Sequence, residues 1–268
     1  MSQSYAIKGG SAGRERLRLL SNVLRSGTND FLDRLGIRPG MACLDVGCGG
    51  GDVSCELARR VGNGGRVIGL DFDSAQLDIV RAEAAAQHFD TIDYRVVDVT
   101  SEPNDLGQYD IVYSRFLLCH LSRWKEVFAW MIRCVKPGGV LAIEEVHYSG
   151  RFCYPPVPEF DRYADLSNQA IRRRGGDPDF GLKLPMMFAG ADLNIGGISV
   201  ACQADFDGDT KLLNALSMQN YADSVVEDGF ATRAEADHLI AVLHENARDK
   251  HIFASVAGRI QVWGRRSH

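Results

Sequence analysis

Two rhythms alternate along this chain. Short, almost unbroken apolar runs read as buried strands: Met41, Ala42 and the first half of 43–52, then 66–72, 94–97, 109–114 and 140–143. Between them apolar residues recur every three or four positions, which predicts helices over 52–61, 73–87 and 123–135. Val127, Trp130, Met131 and Cys134 share one face of the third. Asp73, with Gln76 three residues on, is a start signal for the second helix, and Lys136-Pro137-Gly138-Gly139 a stop for the third. Strand and helix taking turns predicts a doubly wound α/β sheet, mostly parallel and covered on both faces.

The flanks follow other patterns. Leu17, Leu20 and Leu24 fall on one helical face, and Phe31 and Leu35 continue a second helix after an expected break at Ser26-Gly27. Arg14, Arg16 and Arg18 lie mostly off that face and read as solvated surface. Residues 1–13 are polar and glycine-containing, a flexible arm whose Tyr5 is a candidate to fold over a ligand. Beyond Val146 an aromatic and proline-rich loop, 151–158, leads into a helix over 159–174, with Arg172, Arg173 and Arg174 at its solvated end. A short helix is expected over 181–191, an alternating strand over 198–206 and two helices within 211–248. A last strand over 252–263 is expected to pair antiparallel with the 198–206 strand.

The chemistry concentrates in Cys-Leu-Asp-Val-Gly-Cys-Gly-Gly-Gly-Asp, residues 43–52. Glycines between a buried strand and a helix let the backbone turn sharply and approach a ligand, which then faces backbone N–H groups and the positive end of the helix dipole. Gly47, Gly49 and Gly51 give G-x-G-x-G, with Asp52 where a dinucleotide fingerprint has its third glycine. No Gly-Lys-Ser/Thr is present to hold a triphosphate, and Asp45 adds a carboxylate before the loop. These features favour a ligand with a cation over NAD. Asp71 ends the next strand about 20 residues on, the spacing at which a carboxylate meets ribose hydroxyls in such folds.

Composition narrows the classes. The 268 residues suit one domain, with a core over 37–146, a helical arm over 1–36 and lid insertions over 147–180 and 208–250. No apolar run is long enough to span a membrane and the N-terminus lacks the apolar core of a signal peptide, so a soluble cytoplasmic protein is expected. A net charge of −5 leaves no electrostatic footprint for nucleic acid, which points to small-molecule partners. Seven cysteines without C-x-x-C pairs predict reduced thiols, and no His and carboxylate cluster has metal-ligand spacing.

With its acidic glycine loop and Lys-Pro-Gly-Gly-Val-Leu at 136–141, the chain resembles the class I S-adenosylmethionine (SAM)-dependent methyltransferases over roughly 38–148. The resemblance implies that family's fold, a Rossmann-like sheet whose last two strands form a C-terminal antiparallel hairpin, here split by helices that join a lid. It implies SAM as cofactor and S-adenosylhomocysteine as product, with Asp45, Gly47, Cys48, Gly49, Asp71, Phe72 and Arg115 around the cofactor. Asp98 and Val99 then take the adenine side. The Asn/Asp-Pro-Pro-aromatic motif of methyltransferases acting on base amines or glutamine amides is replaced by Ser114-Arg115-Phe116-Leu117, which weakens the nucleic-acid reading. The implied reaction is methyl transfer to an O, N or C nucleophile of a small aromatic or apolar metabolite.

Because the sulfonium is already a good leaving group, the protein has mainly to align and desolvate the acceptor. His120, Glu144 and His147 are candidate general bases for an acceptor that must lose a proton. Tyr5, Tyr148, Phe152 and Tyr154 are candidates for the acceptor pocket. The competing classes are an RNA or protein methyltransferase, a nicotinamide-dependent oxidoreductase and a SAM-binding protein without catalysis.

Overall fold

A computed structural model describes residues 10–103 and 106–267, with side chains from Arg16 onward. Tyr5 lies outside the described residues. The first element is one unbroken helix, α1 (Gly10–Arg34), and the break expected at Ser26-Gly27 is absent. A glycine inside a helix costs about 1 kcal/mol, and the buried Leu24, Phe31, Leu32 and Leu35 outweigh it at roughly 1.5–3 kcal/mol each. The Gly27 carbonyl also accepts a hydrogen bond from Gln261 Nε2 at 3.2 Å.

The alternating core follows its periodicity closely: β1 (Ala42–Val46), α2 (Asp52–Val61), β2 (Arg66–Asp71), α3 (Ser74–Ala86), β3 (Ile92–Val96), β4 (Tyr109–Arg115), α4 (Trp124–Arg133) and β5 (Val135–His147). Asp73 caps α3 by accepting the Gln76 N–H at 3.1 Å. After β6 (Cys153–Tyr154) come α5 (Pro158–Arg173), α6 (Leu184–Ala189), β7 (Leu193–Ala201), β8 (Ala204–Asp205), α7 (Asp209–Glu227), α8 (Arg233–Arg248), β9 (Phe253–Ser255) and β10 (Gly258–Arg266).

A seven-stranded sheet runs β3-β2-β1-β4-β5-β10-β7, with β1 parallel to both β2 and β4. It is the mostly parallel Rossmann-like sheet expected, with a C-terminal antiparallel strand. Two expected strands divide. The run 252–263 gives β9 and β10, and 198–206 falls into β7 and β8, because the short halves pair in a separate sheet, β6-β9-β8.

Two compact units result. One takes residues 26–145, 181–199 and 260–268; its core packs Phe31, Leu35, Leu57, Val67, Ile111 and Tyr113 between helices and sheet. The other takes 1–25, 146–180 and 200–259. Its own core joins Phe160, Tyr163 and Leu166 of α5 to Met218 and Tyr221 of α7 and Leu239 and Leu243 of α8.

Candidate active site

The glycine loop sits over the carboxyl end of β2. Gly47 and Cys48 both donate their N–H groups to the Leu70 carbonyl at 2.8 Å, and Gly51 N–H closes the turn on the Cys48 carbonyl at 2.9 Å. Gly47, Gly49 and Gly51 have φ of +74°, +49° and +72°, a region that disfavours residues with a Cβ. Their roles differ. A methyl at Gly51 would lie 2.3 Å from Val80 Cγ1 and 2.7 Å from Tyr94 Oη, so this glycine is required by packing. At Gly49 and Gly50 no atom lies within 4 Å of the missing Cβ, which leaves room for a ligand to approach the backbone. Gly51→Ala is therefore expected to destabilise the fold by about 2–3 kcal/mol, with Gly49→Ala costing about 1. Denaturant midpoints measure this, and equal midpoints would contradict the division.

Asp71 joins loop to strand end: Oδ2 accepts the Gly49 N–H at 2.9 Å and Oδ1 the Asp73 N–H at 3.1 Å. The Phe72 N–H also acts on this carboxylate. Burial raises the Asp71 pKa, against these bonds. Phe72 beside it is 58% exposed, a large apolar face at a strand end. Asp98, at the end of β3, uses Oδ1 to accept Thr100 N–H at 2.9 Å and Thr100 Oγ1 at 2.6 Å, and Val99 is buried beneath it. The acidic group, the apolar face and the open loop fit a ligand with ribose and adenine parts. Asp71, Phe72 and Asp98 would hold it, beside Gly49 and Gly50.

Asp45 and Cys48 stand behind this surface. Asp45 is 2% exposed and its Oδ2 accepts Ser54 Oγ at 2.6 Å; burial pushes its carboxyl up to about 7. The Cys48 thiol packs on Leu77, Val80 and Tyr94, and burial pushes its pKa well up, so it is an inert space-filler.

Arg115 has a partner that the sequence pattern did not suggest. Its Nη2 lies 3.0 and 2.8 Å from the two oxygens of Asp52, and Nη1 is 3.3 Å from Thr28 Oγ1. Burial opposes the charge on Arg115, but Asp52, Tyr113 and Glu144 more than offset that and keep it protonated. The aspartate that replaces the third fingerprint glycine thus ties α2 to the end of β4. An acid in a first helical turn and an arginine at a strand end were the available signals.

Immediately beyond, Phe116 adopts φ +56°, a conformation costly for a residue with a bulky side chain, and donates its N–H to the Glu144 carbonyl at 2.9 Å. Leu117 and Leu118 then donate N–H groups to Glu145 Oε1 at 3.0 and 2.6 Å. This buried carboxylate holds the 3-10 turn Leu118–His120, which ends on the half-buried His120.

The other base candidates differ in setting. Glu144 is wholly buried. Tyr113 OH donates to its Oε1 and Gln261 Nε2 donates to its Oε2 at 2.7 Å, so both oxygens serve the core. In the helical unit, His147 Nδ1 lies 3.1 Å from Asp179 Oδ1, the oxygen that also accepts Ser149 N–H and Oγ at 2.9 Å each. Burial works to raise the Asp179 pKa, and these bonds overcome it and hold the carboxyl below its usual value. Tyr148 OH is 3.3 Å from Tyr221 OH. Phe152 and Tyr154 are exposed, and the Phe152 ring lies 5.3 Å from that of Phe253. Arg16, expected as solvated surface, is only 7% exposed.

The family described as "Methyltransferase domain" matches residues 43–139, from β1 into the first part of β5. Over that segment the chain is similar to the class I SAM-dependent methyltransferases. Among curated relatives, demethylmenaquinone methyltransferase of Lactococcus lactis is 32% identical over 117 residues, 43% of this chain and 46% of the relative. The 2-phytyl-1,4-naphtoquinone methyltransferase of Trichormus variabilis is 34% identical over 116 residues, 42% and 49% of the two chains. Nocamycin O-methyltransferase of Saccharothrix syringae is 33% identical over 113 residues, 42% and 40%. The match thus spans about half the length of these methyltransferase relatives or less.

Solved methyltransferase structures share the fold over most of the chain. A Bacillus halodurans structure described as a putative methyltransferase has a TM-score of 0.61 at 14% identity, covering 91% of this chain and 100% of its own. Coclaurine N-methyltransferase bound to N-methylheliamine and SAH has 0.58 at 15%, covering 90% and 72%. The [4+2]-cyclase SpnF has 0.56 at 19%, covering 90% and 80%, so the methyltransferase fold alone does not dictate the reaction.

Proposed function

We propose that this protein is an enzyme that transfers the methyl group of SAM to an O, N or C nucleophile of a small-molecule acceptor, releasing S-adenosylhomocysteine. One observation carries the reading. The acidic glycine loop is bonded to Asp71 through Gly49 N–H while the space beside Gly49 and Gly50 is open, within the segment that matches the methyltransferase family. The relatives' quinone, naphthoquinone and nocamycin acceptors favour a small molecule over a macromolecule.

Bound SAM supplies an activated methyl on a sulfonium. Asp71 would accept hydroxyl protons of the ribose, Phe72 would lie on the adenine side, and Asp98 would accept from its amine. The Asp52–Arg115 pair fixes the loop against β4, so the cradle is rigid before the ligand arrives. The chain's remaining task is to orient the acceptor and, for an acidic acceptor, to take a proton. His120, on the turn held by Glu145, and His147, oriented by Asp179, are the proposed bases; Glu144 is left out because Tyr113 and Gln261 occupy it.

The test is to give the protein methyl-labelled SAM with a cell extract separated by size. Label is expected in the small-molecule fraction; label in RNA or protein would overturn the acceptor class. His120→Ala is expected to lower transfer about 100-fold with SAM affinity within about twofold. Full activity in that variant removes His120 from the mechanism.

A further inference from the structure

In the helical unit the buried Arg16 and the half-buried Arg151 pair with no acid among the described residues. Four other partly buried arginines are paired with acids: Arg115 with Asp52 at 2.8 Å, Arg60 with Asp33 at 2.8 Å, Arg162 with Glu235 at 2.7 Å, Arg174 with Asp228 at 3.0 Å. Arg16 is 7% exposed and, among the described residues, makes one hydrogen bond, from Nε to Ser217 Oγ at 3.2 Å. Arg151 lays its guanidinium over the Tyr148 ring, 4.3 Å from the centroid, and 5.0 Å from that of Tyr163. Its Nε reaches the Tyr148 carbonyl at 3.4 Å, but its Nη2 is buried with no hydrogen-bond partner. Neither arginine has a carboxylate partner among the described residues.

The surroundings converge. Ser217 and Tyr221 lie one turn apart on α7, and Tyr221 OH is 3.3 Å from Tyr148 OH. Burial pushes both phenols up, and Arg16 and Arg151 act against that on both, so the two guanidinium groups and two hydroxyls share one locality. A buried guanidinium without an anion is costly, and a planar fork of N–H donors beside hydroxyl donors matches an oxyanion.

We propose that Arg16, Arg151, Tyr148 and Tyr221 form an oxyanion-binding site within the helical unit that takes a carboxylate or phosphate group.

Wild-type protein with S-adenosylhomocysteine is titrated with inorganic phosphate and, separately, with benzoate, and binding is followed by calorimetry and thermal unfolding. Saturable stabilisation is expected; the phosphate and benzoate arms tell a phosphoryl group from a carboxylate. Arg151→Gln and Tyr148→Phe are each expected to weaken it about tenfold or more. Should Arg151→Gln fail to fold, the wild-type titration and Tyr148→Phe still decide. Absence of saturable binding by either anion, or unchanged affinity in both variants, overturns the site.

Discussion

Asp71→Ala is expected to weaken SAM binding by about 100-fold or more, ~3 kcal/mol, with the denaturation midpoint changed far less. The residue has two proposed duties that fail together. Its Oδ2 holds the Gly49 N–H at 2.9 Å and so sets the open part of the loop, while the remaining lone pairs are the proposed acceptors for the ribose hydroxyls. Asp71→Asn separates these duties: one amide oxygen can still hold Gly49, so loss in that variant reports on the ligand. Gly49→Val, which directs a branched side chain into the space left open at a φ of +49°, is expected to weaken binding as strongly. Calorimetry with SAM measures all three. If Asp71→Ala and Gly49→Val both stay within about twofold of the native affinity, under ~0.5 kcal/mol, the cradle is wrongly assigned.

Raising the pH from about 5 to about 8 is expected to expose a stability loss that Asp45→Asn and Glu145→Gln largely remove. Both carboxyls are held near 7, from ordinary values of 3.8 and 4.5, and burial is the main cause in each. For Asp45 the Ser54 hydrogen bond opposes the shift without cancelling it; for Glu145 the Cys119 side chain and the 117–119 backbone do the same. The sign follows from proton counting. Between the ordinary and raised values the folded chain holds protons that the unfolded chain has released, so stability is complete below about 4, falls as pH rises, and levels off above about 7.

At ~1.4 kcal/mol per unit, Asp45 contributes a fall of about 4 kcal/mol and Glu145 about 3. Asp71 acts in the same direction, and Asp110 and Asp179, whose values are lowered, act oppositely at lower pH. Urea denaturation at several pH values checks this through the difference between wild type and each neutral variant. Parallel profiles would mean that neither carboxyl is protonated preferentially in the fold. The orphaned Oε2 of Glu145, buried without a partner, is the atom on which that proton would sit at lowest cost.

Much of the sheet unit was legible before any coordinates. Apolar runs between helical spacings placed β1 to β5 and α2 to α4 within a few residues, and Asp73, flagged by Gln76, caps α3 as its position implies. The glycine loop was legible as a sharp turn between β1 and α2, and its positive φ angles agree. Its division of labour was not. Gly51 is needed because Val80 and Tyr94 approach it from α3 and β3, elements its local sequence does not contain. The helix break at Ser26-Gly27 failed for a related reason, since local propensity lost to the burial of Leu24 and Phe31 on either side of it.

By itself, then, the sequence determined the order of strands and helices, the glycine loop and the acidic strand end at Asp71, all written in spacings of a few residues. Tertiary structure alone decided the fate of the charges. It paired Asp52 with Arg115, closed Glu144 between Tyr113 and Gln261, pinned the His120 turn on Glu145 and buried Arg16 beneath α7. Periodicity is a relation between neighbours in the chain, whereas desolvation and ion pairing depend on groups as far apart as Glu144 and Gln261, which only folding brings within 2.7 Å.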